Sequence, residues 1–221
     1  MDINTISEQL RQVAPWNALP ETAWPELWQV TRLVSIPKHQ VVFHQIEQGQ
    51  GVFFVVSGLV KLNKSSPGSK DTVIFLAQKG DTIGEQILGA AGCAQTLSDC
   101  VLAEIDADWV AGAAQKNPAF GWAWCRFLLD RLRASEERLL RHRFNLTRQR
   151  ISLFLKDVAR HHGRTFLNGE VELRLPLTHE LIGEMVAVSR QQVTTIFIEW
   201  AEKGIIRYNR KRIVLSKPEM L

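Results

Sequence analysis

The thirty residues 177–206, LTHELIGEMVAVSRQQVTTIFIEWAEKGII, constrain the fold more than any other stretch. Thr178 is placed to cap a helix by accepting one of its free backbone N–H groups. Leu181, Ile182 and Met185 give that helix one apolar face. Gly183 allows a second helix to approach closely. Ser189 caps the second helix after a very short turn. Val193, Ile196, Phe197 and Trp200 fall at i, i+3, i+4 and i+7, so they point to a core. Gly204 closes the helix in a left-handed conformation. The pattern predicts two helices, over 178–186 and 190–203, locked across a tight turn.

The opposite face of the second helix is polar from its first turn. Arg190 suits guanine O6 and N7, Gln191 suits adenine, and Thr195 lies on the same polar face. These three are the candidate base readers of a helix-turn-helix lying in a major groove. Thr178, His179, Ser189, Gln192 and Thr194 are candidates for the DNA backbone. Arg210 and Lys211, with Arg212 beside them, put a basic turn where a phosphate chain would run. The plain alternative is a helical hairpin with a polar outer face. Charge supports the DNA reading. Residues 1–110 hold 7 Lys/Arg against 12 Asp/Glu, whereas 111–221 hold 20 against 11. An acidic half joined to a basic half suggests a polyanion partner at one end only.

The front half has a different character. A short amphipathic helical stretch is expected over 21–35. Short β-rich runs follow at 41–46, 52–56, 60–63, 72–77 and 101–105, punctuated by glycines. This spacing predicts a small antiparallel barrel or sandwich. From Asn117-Pro118 to about His142 the pattern is helical, with Trp124, Leu128, Leu132 and Leu139 on an apolar stripe. Such a helix, about 37 Å long at 1.5 Å per residue, exceeds what one barrel side covers, and a symmetry mate is the natural partner. Beyond it, a helix over 148–160, a linker over 161–169, and short strands at 171–175, 205–207 and 212–215 are expected. The chain therefore divides into a front domain (1–116), a dimerisation helix and hinge (117–145) and a basic helical domain (146–221).

Composition excludes other classes. With 45% hydrophobic residues the chain of 221 residues can bury a sizeable core and is not wholly disordered. No apolar stretch approaches the roughly 18 residues that span a bilayer, and no secretory signal is visible. Three cysteines, Cys93, Cys100 and Cys125, fit a reducing cytoplasm better than a disulfide framework.

The chain resembles the cyclic-AMP receptor protein/fumarate–nitrate regulator (Crp/Fnr) superfamily of bacterial transcription factors over nearly its whole length. VVFHQIEQGQGVFFVVSGLVKL and KGDTIGEQILG are similar to the family's effector-binding β-roll. NPAFGWAWCRFLLDRLRASEERLL is similar to its dimerisation helix, and LTHELIGEMVAVSRQQVTTIF to its helix-turn-helix. The resemblance implies an α+β protein with an N-terminal β-roll (a double-stranded β-helix), a long helix and a C-terminal winged helix-turn-helix. It implies a homodimer on a near-palindromic duplex, with RNA polymerase and a small effector as further partners.

Departures from the family pattern bear on the effector. The cyclic-nucleotide cassette reads roughly Gly-Glu-x(9)-Arg-Ser/Thr. Gly84, Glu85 and Thr96 match it, but Gln95 stands at the arginine position and brings no cation for a phosphodiester. On the long helix Ser135 matches a base-contacting hydroxyl, while Glu136 brings a negative charge. Cyclic AMP is therefore not expected. An iron–sulfur cluster is not expected either, since no cysteine precedes Cys93. Haem is not expected, because His39 and His44 read as ordinary surface or core histidines. An uncharged effector, a redox signal and constitutive activity stay open. Ala187 fills a turn position that is often glycine, at about 1 kcal/mol if left-handed.

Two other function classes compete. A cupin-type metal enzyme needs converging histidines and a carboxylate, and His39 and His44, five apart on one strand, face opposite sides. A β-roll interaction module would act through protein contacts without touching DNA, and would show no salt-sensitive DNA binding.

Overall fold

The computed structural model describes residues 3–43, 51–64, 72–84, 93–173, 175–209 and 212–221. His44, Glu85, Arg210 and Lys211 lie outside them. The chain forms two units, Met1–Ala134 and Ser135–Leu221.

Among the described residues of the first unit, α1 (Ile3–Arg11) and α2 (Trp24–Gln29) precede eight strands. These are β1 (Thr31–Ile36), β2 (Val41–Phe43), β3 (Val52–Ser57), β4 (Leu59–Lys64), β5 (Thr72–Gln78), β6 (Thr82–Ile83), β7 (Cys93–Thr96) and β8 (Cys100–Ile105). They make two four-stranded antiparallel sheets, β1-β8-β3-β6 and β2-β7-β4-β5. β3 shows why its sequence is a continuous apolar run. Phe53 and Val55 face the interior with Val60, Leu62, Ala77 and Leu102. Val52, Phe54 and Val56 face outward, where Trp16, Trp24, Leu27, Phe120 and Trp124 cover them. A strand buried on both faces loses the polar alternation of a half-exposed one.

The expected helix over 21–35 stops at Gln29. Thr31, Val34 and Ile36 form β1 instead, where β-branched side chains fit and β8 supplies a full ladder from Thr31↔Ile105 to Ile36↔Cys100. α1, β6, the short β7 and α3 (Ala107–Lys116) were not anticipated either; α3 is capped by Asp106, which accepts from Trp109 N–H at 2.7 Å.

α4 runs from Pro118 to Phe144, and the boundary between the units falls within it. It carries two apolar stripes where the sequence suggested one. Trp124, expected on the seam with a partner, is only 7% exposed. Its ring packs against Trp16 (5.7 Å), Phe127 (5.6 Å) and Phe120 (6.2 Å). Leu128 is half-buried. A separate row, Trp122, Leu129, Leu132 and Leu139, lies bare at 64, 46, 55 and 68% exposure. Its steps of seven, three and seven residues keep it on one side of the helix.

The second unit contains α5 (Thr147–His162), β9 (Gly163–Thr165), β10 (Val171–Leu173), α6 (His179–Val186), α7 (Arg190–Glu202), β11 (Ile206–Tyr208) and β12 (Ile213–Leu215). The four strands form an antiparallel sheet in the order β11-β12-β10-β9. β9 occupies part of the expected linker. No helix among the described residues is long and apolar enough to cross a membrane.

Candidate nucleic-acid interface

α6 and α7 are built as their sequence requires. Thr178 Oγ1 accepts from Leu181 N–H at 3.0 Å and starts α6. Ser189 Oγ accepts from Gln192 N–H at 3.2 Å, and Gln192 Oε1 accepts from Ser189 N–H at 2.9 Å. This reciprocal cap satisfies two backbone donors at once. Between the helices, Ala187 adopts φ 50°, ψ 55°, the left-handed conformation that the frequent glycine would take freely. Gly183 is required by contact: a Cβ there would lie 2.7 Å from Val188 O, a backbone atom. Gly204 ends α7 at φ 63°.

Val193, Ile196, Phe197 and Trp200 are buried. Arg190, Gln191, Gln192 and Thr195 are consequently exposed on the other side of α7. Thr178 and Ser189 are exposed as well. Both hydroxyls serve as acceptors in the caps, so each retains its O–H to donate to a phosphate.

Thr194 departs from its expected backbone-contact role. Its hydroxyl donates to Arg190 O at 2.9 Å, so no donor remains for a phosphate. The same oxygen lies 2.9 Å from His179 Nδ1; with the hydroxyl proton given to Arg190 O, this contact is satisfied by the tautomer that carries its proton on Nδ1. His179 is half-buried, its ring centroid 4.8 Å from Phe197 and 5.3 Å from Tyr208. Burial, then the Arg190 charge, hold its pKa below the ordinary histidine value.

Arg150 has a role that the sequence did not reveal. From α5 its Nη1 donates to Val186 O (2.9 Å) and Ala187 O (3.1 Å), the last carbonyls before the turn. A cation at a helix C-terminus is favoured by the dipole. Among fourteen arginines and lysines within residues 141–212, nothing local in sequence marks this one. In the sheet, Glu172 is almost fully buried and pairs with Arg212 at 3.3 Å, while Arg207 pairs with Glu170 at 2.8 Å. Arg212 is thus engaged within the sheet.

Of the candidate effector residues, Thr96, Gln95 and Gly84 have structural roles in the first unit. Thr96 is fully buried, and its hydroxyl donates to Pro37 O (2.7 Å) and accepts from Gln40 N–H (2.9 Å). It anchors the β1–β2 turn, which replaces its expected ligand role. Gln95 Nε2 donates to His39 O at 3.3 Å. Gly84 has φ 82°, and a Cβ there would meet Gly51 O at 2.8 Å, so the roll itself requires glycine. Ser135 and Glu136 are exposed on α4. A cation absent from the sequence reading, Arg131, lies over the Phe75 ring at 4.2 Å and donates to Thr82 O at 2.9 Å.

Comparison with known proteins matches both units. Residues 33–117 fit the family model of the cyclic nucleotide-binding domain, and residues 125–221 that of the Crp-like helix-turn-helix domain. The chain is 24% identical over 220 residues to the CRP-like cAMP-activated global transcriptional regulator of Mycobacterium tuberculosis, covering 98% of each. It is 26% identical over 223 residues to the nitrogen fixation regulation protein FixK of Azorhizobium caulinodans, covering 98% of this chain and 87% of that one. FixK2 from Bradyrhizobium japonicum shares the fold at a TM-score of 0.78 and 18% identity, over 86% of this chain and 95% of that one. A CooA mutant from Carboxydothermus hydrogenoformans does so at 0.75 and 21%, over 91% and 93%. With its β-roll, long helix and winged helix-turn-helix matched in order, the chain belongs to the Crp/Fnr superfamily of DNA-binding transcription regulators.

Proposed function

We propose that α7 is the reader helix of a homodimer that binds a near-palindromic duplex, with Arg190, Gln191 and Thr195 at base edges. The observation that carries this reading is the split of α7. One side is sealed by Val193, Ile196, Phe197 and Trp200, and the other offers Arg190 and Gln191 at the first turn. Thr178, Ser189, the amide N–H₂ end of Gln192, His179, Arg210 and Lys211 hold phosphates on either side. The bare row Trp122, Leu129, Leu132 and Leu139 supports pairing of α4 with its copy, because a large contiguous apolar stripe favours a partner. Two reader helices then sit about 34 Å apart, one turn of DNA.

In this reading residues 1–116 sense, 117–145 dimerise, and 146–221 bind DNA in the cytoplasm, where RNA polymerase is the further partner. Cyclic AMP is not the effector. Gln95 supplies no charge, and the Thr96 hydroxyl is spent on the β1–β2 turn. The site reading is tested by selecting duplexes from a random pool with the purified protein. An inverted repeat with half-sites one turn apart is expected, and recovery of unrelated sequences refutes it. Calorimetric titration with cyclic AMP is expected to show no binding.

A further inference from the structure

We propose that His179 makes DNA binding proton-linked: its imidazole joins the pieces of the DNA-facing surface and takes up a proton when a phosphodiester comes against it. The inference rests on the DNA-binding reading above and adds a regulatory property to the same site.

The geometry places His179 at a junction. From the first turn of α6 its Nδ1–H reaches Thr194 on α7, and Thr194 in turn holds Arg190 O. Its ring packs on Phe197 of α7 and on Tyr208 of β11, the strand leading into the basic turn. Movement of this one ring is therefore felt by the reader's first turn and by β11.

Its hydrogen-bonding capacity depends on charge. With Nδ1–H committed to Thr194, the neutral ring has at Nε2 only a lone pair. A lone pair facing a phosphate oxygen sets acceptor against acceptor. Protonation from solvent converts Nε2 into a charged donor, the stronger kind of partner for a phosphate. Without DNA this is disfavoured. Burial opposes the charge, and from α7 the Arg190 cation opposes it too. Thr194 and Phe197 on α7 and Tyr208 on β11 bring no charge to offset it. Arg207, also on β11, is engaged with Glu170. On α6 itself, the neighbouring carboxylate Glu180 is exposed to solvent. A phosphodiester would bring the missing negative charge, so binding draws in a proton. Affinity then rises as pH falls.

The test uses full-length protein and a labelled duplex recovered from the random-pool selection. Its affinity is measured by anisotropy between about pH 8 and about pH 6. Proton uptake is read from binding heats in two buffers of different ionisation enthalpy. The key variant is His179→Asn, whose amide N–H keeps the bond to Thr194 but cannot titrate. Wild type is expected to bind roughly 10-fold tighter at the acid end, with uptake of protons; one linked proton allows at most about tenfold per pH unit for each protomer. His179→Asn is expected to bind more weakly than wild type at the acid end, to take up no proton on binding, and to stay flat to within about 2-fold across the pH range. A flat wild type overturns the proposal, as does a variant that keeps the slope. Loss of binding by the variant at every pH overturns it in favour of a structural role. If wild type binds no duplex at any pH, the DNA-binding reading itself falls.

Discussion

The turn between α6 and α7 allows two substitutions of opposite sign. Gly183→Ala adds a methyl whose carbon would sit 2.7 Å from Val188 O. Relief to an ordinary contact near 3.4 Å moves that carbonyl by about 0.7 Å. The carbonyl belongs to a residue whose own N–H donates to Gly183 O at 2.9 Å, and it lies between the left-handed Ala187 and the Ser189 cap. The turn has no flexible side chain to give way. Overpacking of this kind costs about 3 kcal/mol at the upper end of its range. The better helix propensity of alanine returns about 1 kcal/mol. The net is a loss of about 2 kcal/mol, or roughly 30-fold in the opening equilibrium. Ala187→Gly removes a left-handed alanine, a relief of about 1–2 kcal/mol. Greater freedom of the unfolded chain takes back about 0.5–1 kcal/mol. It should stabilise by about 0.5–1 kcal/mol, or roughly 2- to 5-fold. Hydrogen–deuterium exchange of peptides spanning 177–206 in the full-length protein reads both. Faster exchange in the first variant and slower exchange in the second are expected. Unchanged protection in Gly183→Ala, or faster exchange in Ala187→Gly, refutes the packing argument.

Other perturbations follow from the same geometry. Arg190→Ala should weaken binding of the selected duplex by about 1–3 kcal/mol and relax one base position in a repeat selection; an unchanged preference removes Arg190 from the readers. Lys211→Ala should weaken all duplexes about equally and lower the salt slope by about 1, as a phosphate contact does. Leu132→Glu should yield a monomer in sedimentation velocity, since it puts a charge in the bare α4 row. Trp124→Ala should leave the dimer intact but destabilise the first unit by about 3–5 kcal/mol; the reverse outcome would exchange the two stripes. For pH, His142 is held below the ordinary value by burial, then by Arg150 and Arg138, and His179 by burial and Arg190. The unfolded chain binds more protons at both sites. Their contribution to stability is therefore complete above about pH 6.5 and is lost as pH falls below it, measurable as a falling urea midpoint.

The helix-turn-helix was legible because its signals are local. Caps, the glycine contact and the buried row of α7 all act within thirty residues, so spacing alone states the geometry. α4 was legible as a helix but not in its partners. Trp124 and Leu132 are both large and apolar, and periodicity says that each faces something without saying what. Only the aromatic cluster of Trp16, Phe120 and Phe127 shows that Trp124 is already covered. β1 was hidden because the short helix before it and the strand share apolar residues, and the decision rests on β8, about seventy residues away. Thr96 matched a ligand pattern, yet its partners, Pro37 and Gln40, lie on a turn about 56 residues earlier. Thr194 failed for a related reason: its one donor proton is taken by Arg190 O one helical turn back, a competition invisible in residue type.

The central claim, that this surface grips duplex DNA through its phosphates, is tested most directly by affinity against salt. Anisotropy with the selected duplex between about 50 and 200 mM salt should give a straight line of log K on log salt, losing about 10³-fold or more if six or more phosphates are contacted. A line that stays flat across that range would contradict the account.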